Sequence, residues 1–165
     1  MVVTQAIRNS TAQEIEQHID YLYIEWYQTS KRIQRLVTAD GEDIAIRFLG
    51  KGQDLKHGDI LYEDLHKVVM VFILACEAIA FTTTDLSVLS LVAYEVGNKH
   101  TPLFAEGNSV FMPYERAMYD WFLKNGYKAE IVQKQLCNPL NANVDFNQHK
   151  KFTFTPPKGG LSLKL

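Results

Sequence analysis

The side chains of this protein that could bind a metal or carry out catalysis are few. Its 165 residues include five histidines and two cysteines. So few thiols exclude a disulfide scaffold and a thiolate-rich metal cluster. A metal ion would have to be held mainly by imidazole, carboxylate or backbone groups. The sequence has no nucleophile–base motif and no phosphate-binding glycine loop, so it does not predict an enzyme.

His100 is the histidine whose position most favours a functional role. Apolar residues recur at helical spacing before it, and Gly97-Asn98 predicts the end of that helix, since both residues tolerate a left-handed conformation. Pro102 biases Thr101 toward an extended conformation. We therefore expect His100 on an exposed turn between a helix and a strand. Taken alone, a histidine in such a place is usually only a solvated residue.

The other candidate ligands have weaker contexts. Cys76 lies in an apolar run, which is typical of a small buried hydrophobic residue. Cys137 is open to two interpretations, a soft metal ligand or a half-buried structural thiol. His18, His57 and His66 lie in or next to turns, and we assign them no metal role.

Charge and hydropathy exclude two classes of function. There are 17 basic and 19 acidic residues, a formal net charge of −2, whereas a general nucleic-acid binder needs a strong basic excess. The most apolar stretch, Val68–Phe81, is too short to span a membrane and contains Glu77. Met1–Asn9 lacks the features of a signal peptide, so we expect a cytoplasmic location.

The first part of the chain reads as a small all-β domain over residues 1–74. Ile44, Ile46 and Phe48 alternate with other residues, a pattern that predicts a strand with one buried face. Turn residues separate the predicted strands, which include Val2–Arg8, Ile19–Trp26, Arg32–Thr38, Ile60–Tyr62 and Val68–Ile73.

The second part, residues 75–137, predicts the order β-α-β-β-α-β of a ferredoxin-like domain. Thr84 or Asp85 can cap the first helix. Pro113 is predicted to open the second helix, Gly126 to end it, and Tyr127–Val132 to form the last strand. The predicted fold class is thus mixed β and α+β. Residues 138–165, rich in Pro, Asn and Gly, are expected to form a flexible tail that contains His149.

The segment Tyr94–Leu103 resembles the Gly-Asn-Arg/Lys-His-x-Pro-Leu signature of the UreE family, the urease accessory nickel chaperones. Further segments resemble the first domain of that family in sequence and in order, namely Tyr23–Trp26, Lys31–Arg35, Asp43–Arg47 and Gly58–Tyr62. The resemblance extends over about residues 1–135.

This resemblance implies a homodimer that binds nickel and delivers it to apo-urease, together with the urease accessory GTPase and the other accessory proteins. It implies that His100 is the metal ligand at the dimer interface, contributed once by each subunit. Many relatives add a histidine-rich tail, but this tail has a single histidine, His149, which could supply one further ligand. A low-stoichiometry site is therefore expected rather than nickel storage. Imidazole also suits zinc and copper.

Two other functions deserve comparison. A protein-interaction module for urease assembly, with incidental metal binding, could present an open sheet edge or an aromatic surface formed by Tyr21, Tyr23, Trp26 and Tyr27. RNA binding by the ferredoxin-like domain is disfavoured, because Pro102–Ala105 and Ser109–Met112 contain no basic residue.

Overall fold

The computed structural model describes residues 1–50 and 54–140. Seven strands come first, in two sheets: β1 Val2–Val3, β2 Arg8–Asn9, β3 His18–Ile24, β4 Ile33–Val37, β5 Asp43–Arg47, β6 Asp59–Glu63 and β7 Lys67–Ile73. A third sheet and two helices follow: β8 Ala75–Thr82, α1 Leu86–Asn98, β9 Phe104–Glu106, β10 Ser109–Pro113, α2 Arg116–Lys124 and β11 Ala129–Gln135. The predicted fold class, β followed by α+β, is confirmed.

The first seven strands form an N-terminal β domain around one main core. The sheets have the orders β1-β5-β4 and β2-β6-β7-β3. Ile44, Ile46 and Phe48 are buried as their alternation predicts, and they pack with residues of β3 and β7 such as Leu22 and Val71. The apolar period-two pattern therefore decides which face of β5 is inside.

Two strand predictions in this domain were wrong. Val2–Arg8 is not one strand, because β1 pairs with β5 and β2 pairs with β6, in different sheets. Trp26 is not in a strand either. The backbone N–H of Glu25 donates to the side-chain oxygen of Gln28 at 2.8 Å, and this local bond starts a short 3₁₀-helix at Trp26.

The last four strands form an antiparallel sheet of order β11-β8-β10-β9. Both helices pack on one face of it, where Ile79 and Met112 meet Val96, Met118 and Phe122 in a buried cluster. This order and this connectivity are those of the predicted ferredoxin-like domain. No helix in the part of the chain that the structure describes is long and apolar enough to cross a membrane.

The helix starts agree only in part with the sequence. Asp85 caps α1 as expected, since its carboxylate accepts from the N–H groups of Ser87 at 2.8 Å and Val88 at 3.2 Å. Pro113 does not open α2. It is the last residue of β10, where it pairs with Ala78, because its fixed φ also suits an extended chain and it lies at the end of the strand.

The chain beyond β11 returns to the opposite edge of the same sheet. Strand β11 is longer than predicted and pairs with β8 up to Gln135. Pro139 then forms an antiparallel bridge with Phe104 of β9. The Phe104 ring also contacts the Trp26 ring, with 6.1 Å between centroids, so this edge meets the N-terminal β domain. His149 lies outside the described residues.

Candidate metal centre

His100 lies at the turn that closes helix α1. Its backbone N–H donates to the carbonyl of Gly97 at 2.9 Å, and the N–H of Thr101 donates to the carbonyl of Val96 at 3.2 Å. These two bonds define a Schellman motif, in which the residue after the C-cap is left-handed. His100 is that residue, with a φ of 56°. Its side chain is exposed.

The end of helix α2 has the same backbone motif with a different residue. The N–H of Gly126 donates to Leu123 at 3.1 Å, and that of Tyr127 donates to Phe122 at 3.0 Å. Gly126 has a φ of 73°. His100 thus takes a position at which a glycine would avoid a conformational cost of about 1 kcal/mol. Among the described residues it is the only non-glycine residue with a positive φ.

The predicted helix end at Gly97-Asn98 is confirmed, because α1 ends at Asn98, but neither residue takes the left-handed conformation expected there. The helix includes both residues, and Gly97 has no positive φ. The physical reason lies after the helix. Thr101 precedes proline and is disfavoured in a helical conformation, so the reversal of the chain falls on His100. The proline two residues after His100 was the signal that could have located the turn.

The segment that follows His100 is anchored in the interior. Thr101 is only 9% exposed, and Leu103 and Phe104 are buried. The carbonyl groups at the end of α1 carry partial negative charge, which favours a cation close to the imidazole. The local structure thus holds the backbone of an exposed histidine firmly at the negative end of a helix dipole.

One chain does not supply a complete ligand set around this histidine. In residues 1–50 and 54–140, no three His, Cys, Asp or Glu side chains lie close enough together to hold a metal ion. A single imidazole is a weak site, since nickel and zinc take four or more ligands. Further ligands would have to come from outside this part of the chain.

The last described residues of the chain lie close to the segment that follows His100. The backbone N–H of Leu140 donates to the carbonyl of Leu103 at 2.6 Å, and Pro139 bridges to Phe104. Leu103 is three residues from His100 along the chain. The chain that carries His149 therefore starts beside this turn.

Two of the other histidines have structural contacts in the N-terminal β domain. The Nε2 atom of His18 lies 2.7 Å from a carboxylate oxygen of Asp40. The Nδ1 atom of His57 accepts the backbone N–H of Ile73 at 3.2 Å. The side chain of His66 is exposed. The structure does not bring any of these three residues into a cluster with His100 that could hold a metal ion.

Both thiols are half-buried, and burial raises the pKa of each. Cys137 lines a cavity of about 470 Å³, beside the ion pair of Lys134 with Glu106. A thiol with a raised pKa stays protonated near neutral pH, and the protonated form is a poor metal ligand. This favours the structural interpretation of Cys137.

Comparison with known proteins agrees with the sequence resemblance. The profile of the UreE urease accessory protein N-terminal domain matches residues 3–74. The chain is 40% identical over 133 residues to the urease accessory protein UreE of Flavobacterium johnsoniae, which covers 81% of each chain. It is 30% identical over 150 residues to the UreE of Acetivibrio thermocellus, covering 90% of this chain and 97% of the relative.

These names describe an accessory protein of urease, and the expectation that the chain is not an enzyme is confirmed on that basis. The similarity covers both the β domain and the ferredoxin-like domain, including the turn at His100. This chain belongs to the UreE family of urease accessory proteins.

Proposed function

We propose that this protein binds nickel through His100 at a homodimer interface and delivers the ion to apo-urease during assembly of the urease active site. The observation that carries the proposal is the left-handed conformation of His100. Non-glycine residues held in this conformation are enriched at functional sites, and here that residue carries an exposed imidazole at the end of a helix. The resemblance of the surrounding segment to the family signature supports the same role.

A two-fold axis between two subunits would bring a second copy of His100 to the site. In an isologous interface each residue lies near its own copy, so one exposed histidine per chain becomes two ligands per dimer. A site with two imidazoles and exchangeable oxygen ligands suits transfer, because ligands can be replaced one at a time. A closed site with four protein ligands would hold the ion instead.

His149 is proposed as an additional ligand. It lies nine positions after Leu140, whose backbone is bonded to Leu103. An extended chain of that length spans up to about 30 Å. The tail is therefore long enough for His149 to reach His100 of its own subunit. Lys150 and Lys151 follow it and oppose a cation, so we expect a smaller contribution from His149 than from His100.

Delivery takes place in the cytoplasm, with the urease accessory GTPase and apo-urease complex as partners. The chain divides into domains at residues 1–74 and 75–137 and a tail at residues 138–165. Zinc and copper are expected to compete for the site in vitro, since imidazole binds both and copper the most tightly.

Calorimetric titration with nickel tests the proposal. His100→Gly is the sharpest variant, because it removes the imidazole and keeps the left-handed backbone. We expect it to lose at least about tenfold in affinity. His66→Ala, which removes another exposed histidine, is the matched control and is expected to bind as the wild type does. Equal affinities for wild type and His100→Gly would exclude His100 as a ligand.

A second candidate function is that of an interaction module with incidental metal binding. One observation favours it: Tyr21, Tyr23 and Phe72 form an aromatic group on the β domain, with centroids 5.5–5.8 Å apart, and Tyr23 is 47% exposed. The same titration separates the two functions. Unchanged nickel affinity in His100→Gly, with retained binding to the urease complex, would favour the interaction module.

A further inference from the structure

Strand β4 has an open edge with unused backbone hydrogen-bonding groups. It is the outermost strand of the sheet β1-β5-β4. Arg32 accepts from Phe48 at 2.7 Å and Thr38 donates to Glu42 at 3.0 Å, so the even-numbered residues are those bonded to β5. The N–H and C=O groups of the odd-numbered residues therefore point away from the sheet, and no strand of residues 1–50 or 54–140 pairs with them.

The side chains of those odd-numbered residues are exposed on the outer face of the sheet. Ile33 is 73% exposed and Val37 is 58% exposed, with exposed Arg35 between them. Leu36 and Gln34 alternate with them and face inward. The edge thus presents an apolar, a basic and an apolar side chain in a row, next to free backbone donors and acceptors.

The charge of this face is positive, although the whole chain is slightly acidic. Arg47 lies opposite Ile33 in the register, so its side chain is on the same face as Arg35. No salt bridge between described residues involves Arg35 or Arg47. Asp43, opposite Val37, is the acidic residue on this face of β4 and β5. Two guanidinium groups without an acidic partner favour an anionic ligand.

An arginine on an edge strand can also serve only to prevent self-pairing. In an antiparallel pair of two β4 strands centred on Arg35, the two guanidinium groups would face each other. This explains why the edge does not pair with its own copy. It does not explain Ile33 and Val37, because a strand that only needed protection would have polar residues at its most exposed positions.

We propose that the open edge of β4 binds an extended, acidic segment of a partner protein as an added strand. The complementary segment carries a carboxylate opposite Arg35, with a β-branched apolar residue two positions away on either side to cover Ile33 and Val37. Backbone hydrogen bonds supply the affinity and the arginines supply the selectivity. This surface lies on the N-terminal β domain, and binding to it requires no metal ion.

The test uses the full chain without metal and short fluorescein-labelled peptides, with binding followed by fluorescence anisotropy. The first peptide alternates valine, threonine, glutamate, threonine and valine at its centre. A second peptide has lysine in place of the glutamate. A third has N-methyl groups on the backbone nitrogens of its five central residues, so it lacks the donors for pairing with β4 in either strand orientation. We expect the first to bind and the other two to bind at least about tenfold more weakly.

Two variants of the protein separate charge from backbone pairing. Arg35→Glu should weaken binding of the glutamate peptide about tenfold and strengthen that of the lysine peptide. Val37→Pro removes one outward N–H without removing a bond to β5, so it should weaken both peptides while the protein stays folded. Lys128→Glu, an exposed charge reversal in the other domain, is the control and should change neither.

Several results would overturn the proposal. One is equal binding of the glutamate peptide by wild type, Arg35→Glu and Val37→Pro. Another is equal binding of the N-methylated peptide, since backbone pairing would then play no part. Binding of a single-stranded oligonucleotide in place of the glutamate peptide would assign the basic face to a nucleic acid instead.

Discussion

The backbone N–H of Thr101 donates to the carbonyl of Val96 at 3.2 Å, and this bond closes helix α1 around His100. The relationship connects a buried core residue to the exposed imidazole. Val96 is completely buried, and Thr101 is nearly so. The position of the His100 backbone is therefore set by the core of the ferredoxin-like domain, while its side chain stays at the surface.

The left-handed turn predicts an unusual effect of mutation at His100. His100→Gly should raise the free energy of unfolding by about 0.5–1 kcal/mol, because glycine adopts this conformation without the cost of a Cβ atom. His100→Ala should leave stability nearly unchanged, since alanine has the same conformational cost as histidine. Urea denaturation of metal-free protein measures both values.

Gly126 provides the matched control for this argument. It takes the same position at the end of α2, and an added Cβ would meet no atom within 4 Å. Gly126→Ala should therefore lower the free energy of unfolding by about 1 kcal/mol through backbone strain alone. A His100→Ala variant clearly less stable than the wild type would show that the imidazole itself stabilises the metal-free fold.

Much of the fold could be predicted from the sequence, because local patterns decide it. The alternation of Ile44, Ile46 and Phe48 and the cap at Asp85 appear in the structure as expected. The errors at Val2–Arg8 and Pro113 have another origin. Which sheet a short strand joins, and whether a proline ends a strand or begins a helix, depends on tertiary pairing that no short window contains.

The candidate site could be predicted less completely from the sequence than the fold. The resemblance to a family signature pointed to His100, whereas spacing alone left it a solvated residue. Gly97 could adopt the left-handed conformation, whereas Pro102 disfavours a helical conformation of Thr101 and so moves the reversal of the chain to His100. Both residues are visible in the sequence, but only the structure shows that the restriction from Pro102 decides where the turn lies.

The cap of α1 predicts a measurable loss when it is removed. The Asp85 carboxylate accepts two backbone N–H groups, and an alanine would leave both without that partner. Asp85→Ala should lower the free energy of unfolding by about 1 kcal/mol, and Asp85→Asn by less, because asparagine retains an oxygen acceptor. Thermal unfolding measures both. Thr84→Ala is the control and should have little effect; a larger loss there would transfer the cap to Thr84.

The buried carboxylate of Asp20 predicts a loss of stability in acid. Burial opposes its ionisation, but hydrogen bonds from the Asp40 N–H and the Thr38 hydroxyl, together with the Lys67 ammonium 3.1 Å away, hold its pKa below the ordinary value. A carboxyl with a lowered pKa stabilises the fold fully above its unfolded pKa. That contribution is lost as the pH falls below about 4.

Asp20→Asn tests this contribution. At pH 7 it should lower the free energy of unfolding by about 2–3 kcal/mol, because Lys67 loses its buried partner. The variant should also show a smaller loss of stability than the wild type between pH 5 and the acid limit of about pH 3. Asp40→Asn, at an exposed carboxylate that contacts His18, is the control. An unchanged acid profile in Asp20→Asn would assign the acid sensitivity to other carboxylates. One of these is Asp64, whose pKa is lowered to about 2, with the hydrogen bond from the backbone N–H of His66 as the largest cause.

The tail predicts a graded effect on nickel affinity. His149→Ala should weaken binding about threefold to tenfold, less than His100→Gly, because the ligand at the fixed turn has less entropy to lose on binding. A chain ended after Val144 should have the same nickel affinity as His149→Ala, since the tail contains no other histidine. Lys150→Ala should bind nickel at least as tightly as the wild type. Calorimetry at one protein concentration compares the wild type with these four variants. If the shortened chain binds nickel as the wild type does, His149 is not a ligand; if it binds more weakly than His149→Ala, the tail contributes through groups other than that imidazole.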